Sequence, residues 1–150
     1  TFYRTSLNKG NIFTLLEKEL ENVKAYIDMQ LVMHDNSFDV EYEIDKNVLD
    51  CNCVNFILQP IVENAISHGI EKKENGKGLI KIKAIAAEDI VKITISDNGI
   101  GMDKTTVNSI LNGEYSGYGI KNVIERLKLA FGESCKIGRA SCRERVYACV

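Results

Sequence analysis

Three short clusters hold the residue types that could do chemistry. In SDNGIGM, residues 96–102, an aspartate ends an apolar run and two glycines follow it closely. Val91, Ile93 and Ile95 alternate with Lys92, Thr94 and Ser96, so Asp97 is in phase with the apolar set and its carboxylate aims at the buried side of a strand. A buried carboxylate is costly unless donors meet it. A ligand amino group would be such a donor, and Gly99 and Gly101, having no Cβ, would let backbone and ligand approach closely. The same residues would equally build a sheet-end turn in which Asp97 accepts from backbone amides. Glu63-Asn64-Ala65-Ile66-Ser67-His68 is the second cluster. Asn64 and His68 are i,i+4 neighbours on a helix, and a carboxamide oxygen suits Mg²⁺, a hard cation that keeps most of its waters and leans on substrate phosphates. A polar helix edge with a satisfied histidine is the plainer reading. The third cluster is Gly117-Tyr118-Gly119-Ile120-Lys121-Asn122, at a helix start where free N–H groups and the helix dipole favour an anion. Asn122 stands where a GxGxxG fingerprint would have its third glycine, and no GxxxxGK[ST] phosphate loop occurs.

Periodicity gives the elements that must position these clusters. Thr14 and Glu17 have capping-box spacing, and Leu16, Leu20, Val23, Ile27 and Leu31 follow at helical intervals, which predicts a helix over 15–33. His34-Asp-Asn-Ser ends it. Phe38 to Ile44 alternates apolar and acidic side chains, as a half-buried strand does. A helix over about 53–68 carries the second cluster, with Leu58, Ile61, Val62, Ala65 and Ile66 as its apolar stripe. Pro60 should kink it or lie in its first turn, and Gly69 should stop it. Strands at 79–86 and 89–96 are close enough in sequence to form an antiparallel hairpin. Residues 103–116 read as a short helix within a loop. A last helix from Gly119 puts Ile120, Val123, Ile124, Leu127 and Phe131 on one face. Helices on one face of a mixed, mostly antiparallel sheet would bury every stripe in one core, an α+β arrangement.

The totals exclude several classes. The chain has 150 residues, enough for one domain with a real core, with 45% hydrophobic and 27% charged residues. A net charge of −2 gives no sign of a broad nucleic-acid surface. No apolar run spans a membrane and no signal peptide is read. Five cysteines without a CxxC pair read as reduced thiols in a cytosolic setting. The two histidines, His34 and His68, limit any phosphohistidine chemistry.

Taken in order, the helix with ENA, the strand ending in DNGIGM, the loop and the GYGI helix resemble the GHKL superfamily. This is the Bergerat-fold ATP-binding domain of sensor histidine kinases, type II topoisomerases, Hsp90 chaperones and MutL. LQPIVENAISHGI (58–70) and GYGIKNVIERLKLAFGE (117–133) look most like LytS-type sensor histidine kinases, and LEKELENVKAYIDMQ (16–30) is similar to that family's segment before the ATP domain. The resemblance covers about residues 10–133 and implies a two-layer α/β sandwich that binds Mg·ATP. It implies that Asp97 accepts from the adenine 6-amino group, with Gly99, Gly101 and Met102 shaping the adenine pocket. It gives Asn64 to Mg²⁺, Glu63 to water or metal, and His68 to the phosphate side. Gly117, Tyr118, Gly119 and Ile120 would open the phosphate seat, and residues 103–116 would be a short ATP lid. Family members often carry lysine where Ser67 stands, a departure that puts one phosphate contact in doubt.

The resemblance also implies partners. Such kinases phosphorylate a histidine on a dimerisation segment, typically in a PHFLFN-like stretch that this sequence lacks, and pass the phosphate to a response regulator. The chain reads as the cytosolic catalytic domain, residues 1–136, of a longer membrane-anchored homodimer, and it should autophosphorylate poorly. Anti-sigma-factor serine kinases share an NAIxHG-like helix, but they usually place a glutamate four residues before the asparagine, where this chain has Pro60. A nucleotide sensor that binds without transfer uses the same residues. After Gly132 the family usually continues to a GKGT-like turn. Residues 137–150 (IGRASCRERVYACV) depart from it and read as a vector-derived or truncated tail, or else as a divergent edge strand.

Overall fold

The computed structural model describes residues 12–71, 73–112, 114, 118–132, 136–141 and 144–149. Its elements are β1 (Phe13–Leu15), α1 (Leu16–Met33), β2 (Phe38–Ile44), β3 (Asn52–Val54), α2 (Leu58–Asn64), β4 (Gly78–Ala87), β5 (Ile90–Asp97), α3 (Lys104–Leu111), α4 (Tyr118–Phe131), β6 (Lys136–Ser141) and β7 (Glu144–Cys149). Five strands form one sheet in the order β2-β4-β5-β7-β6. Only β2 and β4 run parallel, and the other neighbours are antiparallel. The mixed, mostly antiparallel sheet expected from the sequence is thus observed.

One face of the sheet is covered. Phe38, Ile80, Ile82, Ala84, Ile93 and Ile95 form a single cluster with Leu20, Val23 and Ile27 of α1, Leu58, Ile61 and Val62 of α2, and Val123 and Leu127 of α4. Each Val, Leu, Ile or Phe side chain among them taken fully from water stabilises the fold by about 1.5–3 kcal/mol. The other face carries a row of ion pairs, Lys77 to Asp39, Lys81 to Glu41 and Lys83 to Glu43, all solvent-exposed. A shallow groove of about 270 Å³ among Glu41, Lys81, Lys83, Thr94 and Ser96 lies on that face. Asp97 pairs across the ladder with fully buried Ile80, so it belongs to the opposite, covered side.

Three local expectations are corrected. Thr14 does not cap α1. It pairs with Cys53 in a two-stranded β1–β3 ladder, and the residue at the cap, Leu15, makes no side-chain cap bond. Backbone does the work instead, because the amides of Leu16 and Glu17 donate to the carbonyls of Cys51 and Leu49 at 2.9 and 3.1 Å. The second predicted helix starts at Leu58 rather than Cys53, since residues 52–54 are drawn into the β1–β3 pair. Pro60 therefore falls in the first turn, where its missing N–H costs no helical bond. Gly69 does not stop the helix. Beyond Asn64 the chain widens into a π-helical turn over Ala65–Ile70, with the Glu71 amide donating to the Ile66 carbonyl at 2.9 Å. Strands β6 and β7 pair antiparallel, and β7 pairs with β5 from Val91 through Ser96.

Candidate nucleotide site

The site is built where the end of β5 meets the end of the α2 helix. Asp97 Oδ1 accepts from the Gly99 amide at 2.9 Å, so the turn reading of this aspartate is realised. The carboxylate also lies against the helix: a Cβ on Gly69 would sit 2.6 Å from Asp97 Oδ1. A Cβ on Gly99 would overlap the Cα, carbonyl carbon and oxygen of Gly69. Gly99 is thus a glycine because the Gly69 backbone crosses it, and Gly69 because the Asp97 carboxylate lies against it, whatever ligand is present. The turn is held from its other side by Asn98, which sequence reasoning passed over. Its Oδ1 accepts from the Leu79 amide at 2.8 Å and its Nδ2 donates to the Lys77 carbonyl at 3.2 Å. Gly101 follows at φ 75°, a left-handed conformation that suits glycine. Met102 is half-buried and Asp103 exposed.

Asn64 lies five residues before Gly69 on the same helix, a rise of about 7 Å. It is half-buried, and its Nδ2 would lie 3.9 Å from a Cβ on Gly119, with Pro60 Cβ at 3.6 Å. The first turn of α4 therefore rests beside Asn64. These are ordinary contact distances, so the protein's own packing does not require a glycine at 119. Ile120 is buried in the core, while the placement of Gly117 lies outside the described residues. Tyr118 begins the α4 helix.

His68, one turn on from Asn64, is exposed. Glu63 accepts from Gln59 Nε2 at 3.0 Å. Its charge reaches Tyr26 of α1, whose hydroxyl pKa is pushed up by burial first and then by Glu63 and Glu71. Glu63 thus lies on the α1 side of the helix. Asp103 accepts from the Thr106 amide at 2.7 Å and caps α3, and this bond holds its carboxyl below the usual aspartate value. Among the described residues, no group of three or more histidines, cysteines, aspartates and glutamates is placed to hold a metal ion. The half-buried carboxamide of Asn64 would suit Mg²⁺ on other grounds, since that ion takes few protein ligands and shares the phosphates of its substrate.

An inward aspartate, a helix-borne asparagine and a glycine-opened helix start are thus joined through one helix. Residues 53–146 match the family model of the histidine kinase-, DNA gyrase B- and HSP90-like ATPases. The chain belongs to this ATPase family. It is an ATP-binding domain, and its site elements all lie within the matched span. Among curated proteins, this ATPase domain is 35% identical over 126 residues to the sensor histidine kinase YpdA of Escherichia coli, covering 83% of the chain and 22% of that protein. It is 31% identical over 137 residues to the sensor protein LytS of Staphylococcus saprophyticus, covering 87% of the chain and 23% of that protein. The domain thus spans less than a quarter of either relative. Among solved structures, the nucleotide-free catalytic domain of histidine kinase ThkA aligns with TM-score 0.67 at 15% identity, over 91% of this chain and 93% of that one. The mycobacterial sensor histidine kinase MprB aligns with TM-score 0.63 at 10% identity, over 91% and 93%. These likenesses show the two-layer fold. Among the described residues, no helix is long and apolar enough to cross a membrane.

Proposed function

We propose that this ATPase domain positions Mg·ATP so that the γ-phosphoryl passes to a histidine on another segment of a longer sensor kinase. One observation carries the reading: a single helix puts Asn64 beside the first turn of α4 and Gly69 against the Asp97 carboxylate. That spacing suits a ligand with an amino-bearing base at one end and phosphates at the other. Asp97 is assigned the adenine amino group, with Gly99, Gly101 and Met102 around the ring. Gly117, Tyr118, Gly119 and Ile120 are assigned the phosphate end, with His68 at its margin and residues 103–116 as lid. Asn64 would hold Mg²⁺, and Glu63 would order water near it. When bound, the ion would neutralise phosphate charge, and the chain's own contribution is positioning. The relatives' names as sensor histidine kinases support the acceptor chemistry.

Neither histidine of this domain suits the acceptor role. His34 is committed to structure, with Nε2 3.2 Å from both Gln30 Oε1 and Glu71 Oε1. His68 lies on the nucleotide helix. The partners proposed are therefore a histidine-bearing dimerisation segment and, after it, a response regulator. The test supplies a separate dimerisation segment carrying its histidine together with ATP labelled at the γ-phosphate. Acid-labile label should appear on the segment, and Asn64→Ala should abolish it. No transfer between two folded partners would favour a nucleotide sensor, and stoichiometric label on His34 would overturn the assignment of the acceptor.

A further inference from the structure

Glu19 is the one charged side chain among the buried described residues, with 1% of its surface exposed. It lies on α1, and its carboxylate faces the entry of α2. Its Oε1 accepts from the amides of Ile57 at 2.7 Å and Leu58 at 3.0 Å, and its Oε2 from the amide of Phe56 at 3.0 Å. These donors would otherwise go unpaired, because a helix start has no intrahelical acceptors for them. Phe56 has φ 59°, a left-handed conformation that a bulky side chain rarely adopts. Such a conformation persists only where the surroundings over-determine it, and a buried carboxylate gripping three successive amides does so. The helix that starts there reaches Asn64 within seven residues, Leu58–Asn64. Its Pro60 and Asn64 form the surface beside Gly119. The height and rotation of Asn64 are therefore set from α1.

We propose that Glu19 is a positioning residue for the Mg·ATP site. It fixes the start of α2 so that Asn64 meets the metal beside the first turn of α4. The proposal rests on the reading of Asn64 as the Mg²⁺ ligand. A purely structural role would lower stability and leave the metal's contribution to binding intact.

The discriminating readout is the gain in ATP affinity when Mg²⁺ is added, measured by titration on the whole chain. Glu19→Gln keeps the length of the side chain and replaces one acceptor oxygen with an NH₂ group. It should cut the Mg²⁺-dependent gain about 10-fold, while metal-free affinity stays within about twofold. Glu17→Gln, an exposed neighbour in the same turn, should match the parent. A full gain in Glu19→Gln, or an equal fall with and without metal, would overturn the proposal. Asn64→Ala separates the two claims: if it keeps the full gain, the reading of Asn64 fails and the proposal falls with it. Hydrogen exchange on the unaltered chain tests the same link without a variant. Coupling is reciprocal, so Mg·ATP should protect the Ile57 and Leu58 amides beyond what metal-free ATP does. Equal protection in both states would count against it.

Discussion

At the scale of single residues, the two glycines that look alike in sequence do different jobs. Gly99 is required by the protein, since any Cβ there would strike the Gly69 backbone. Gly119 is not, since a Cβ would meet Pro60 and Asn64 only at 3.6 and 3.9 Å. Gly99→Ala should therefore destabilise the fold by about 1–3 kcal/mol, as overpacking does. Gly119→Ala should leave the thermal midpoint unchanged or slightly raised, because alanine favours a helix by up to about 1 kcal/mol, yet weaken ATP binding. Thermal melts and nucleotide titrations of the two variants check this. A large stability loss in Gly119→Ala would mean that the glycine serves packing. The inward aim of Asp97 was legible in the sequence because a strand's period of two leaves no choice of face once the apolar set is known. The roles of Asn98 and Glu19 were not. Asn98 bonds a backbone amide 19 positions away, and Glu19 bonds amides 37 to 39 positions away. No local pattern announces either.

At the scale of elements, long periodic segments were read well and short or irregular ones were not. The span of α1 and the strand from Phe38 to Ile44 follow from their apolar spacing. The three-residue strands β1 and β3 are too short to show a period, and their pairing displaced both the Thr14 cap and the start of α2. The π-helical turn over Ala65–Ile70 has no signal of its own beyond the glycine that lets it meet β5. The short helix α3 carries a testable cap. The Thr106 amide is the largest cause of the lowered Asp103 carboxyl, followed by the Thr106 hydroxyl. A carboxyl lowered in the native state stabilises above its unfolded value of about 3.9 and loses that contribution as pH falls through the native value. The Thr106 amide resonance should therefore titrate together with the Asp103 carboxyl, with a midpoint below the ordinary one. Asp103→Asn should abolish that titration. A midpoint at or above the ordinary value would show that the cap is not formed in solution.

At the scale of the whole molecule, the π-helical turn that follows α2 meets the end of β5, and the proposed nucleotide site lies at that junction. In the proposed reading, the adenine and phosphate ends would be held by different elements, β5 for one and the α2 helix with α4 for the other, and the α2 helix would span both. On that reading, three weak sequence clusters, each with an ordinary alternative, would act as one site when folded. The central claim is that Asp97 reads the base of ATP. It is tested by titrating the chain with a non-hydrolysable ATP analogue, comparing the parent with Asp97→Asn and monitoring each melt. Asparagine can still accept from the Gly99 amide, so the turn should survive and the thermal midpoint should hold. Loss of a charge-assisted bond worth about 1.5–3 kcal/mol predicts that affinity falls by at least about 10-fold. Equal affinity in parent and variant, with both folded, would contradict the account.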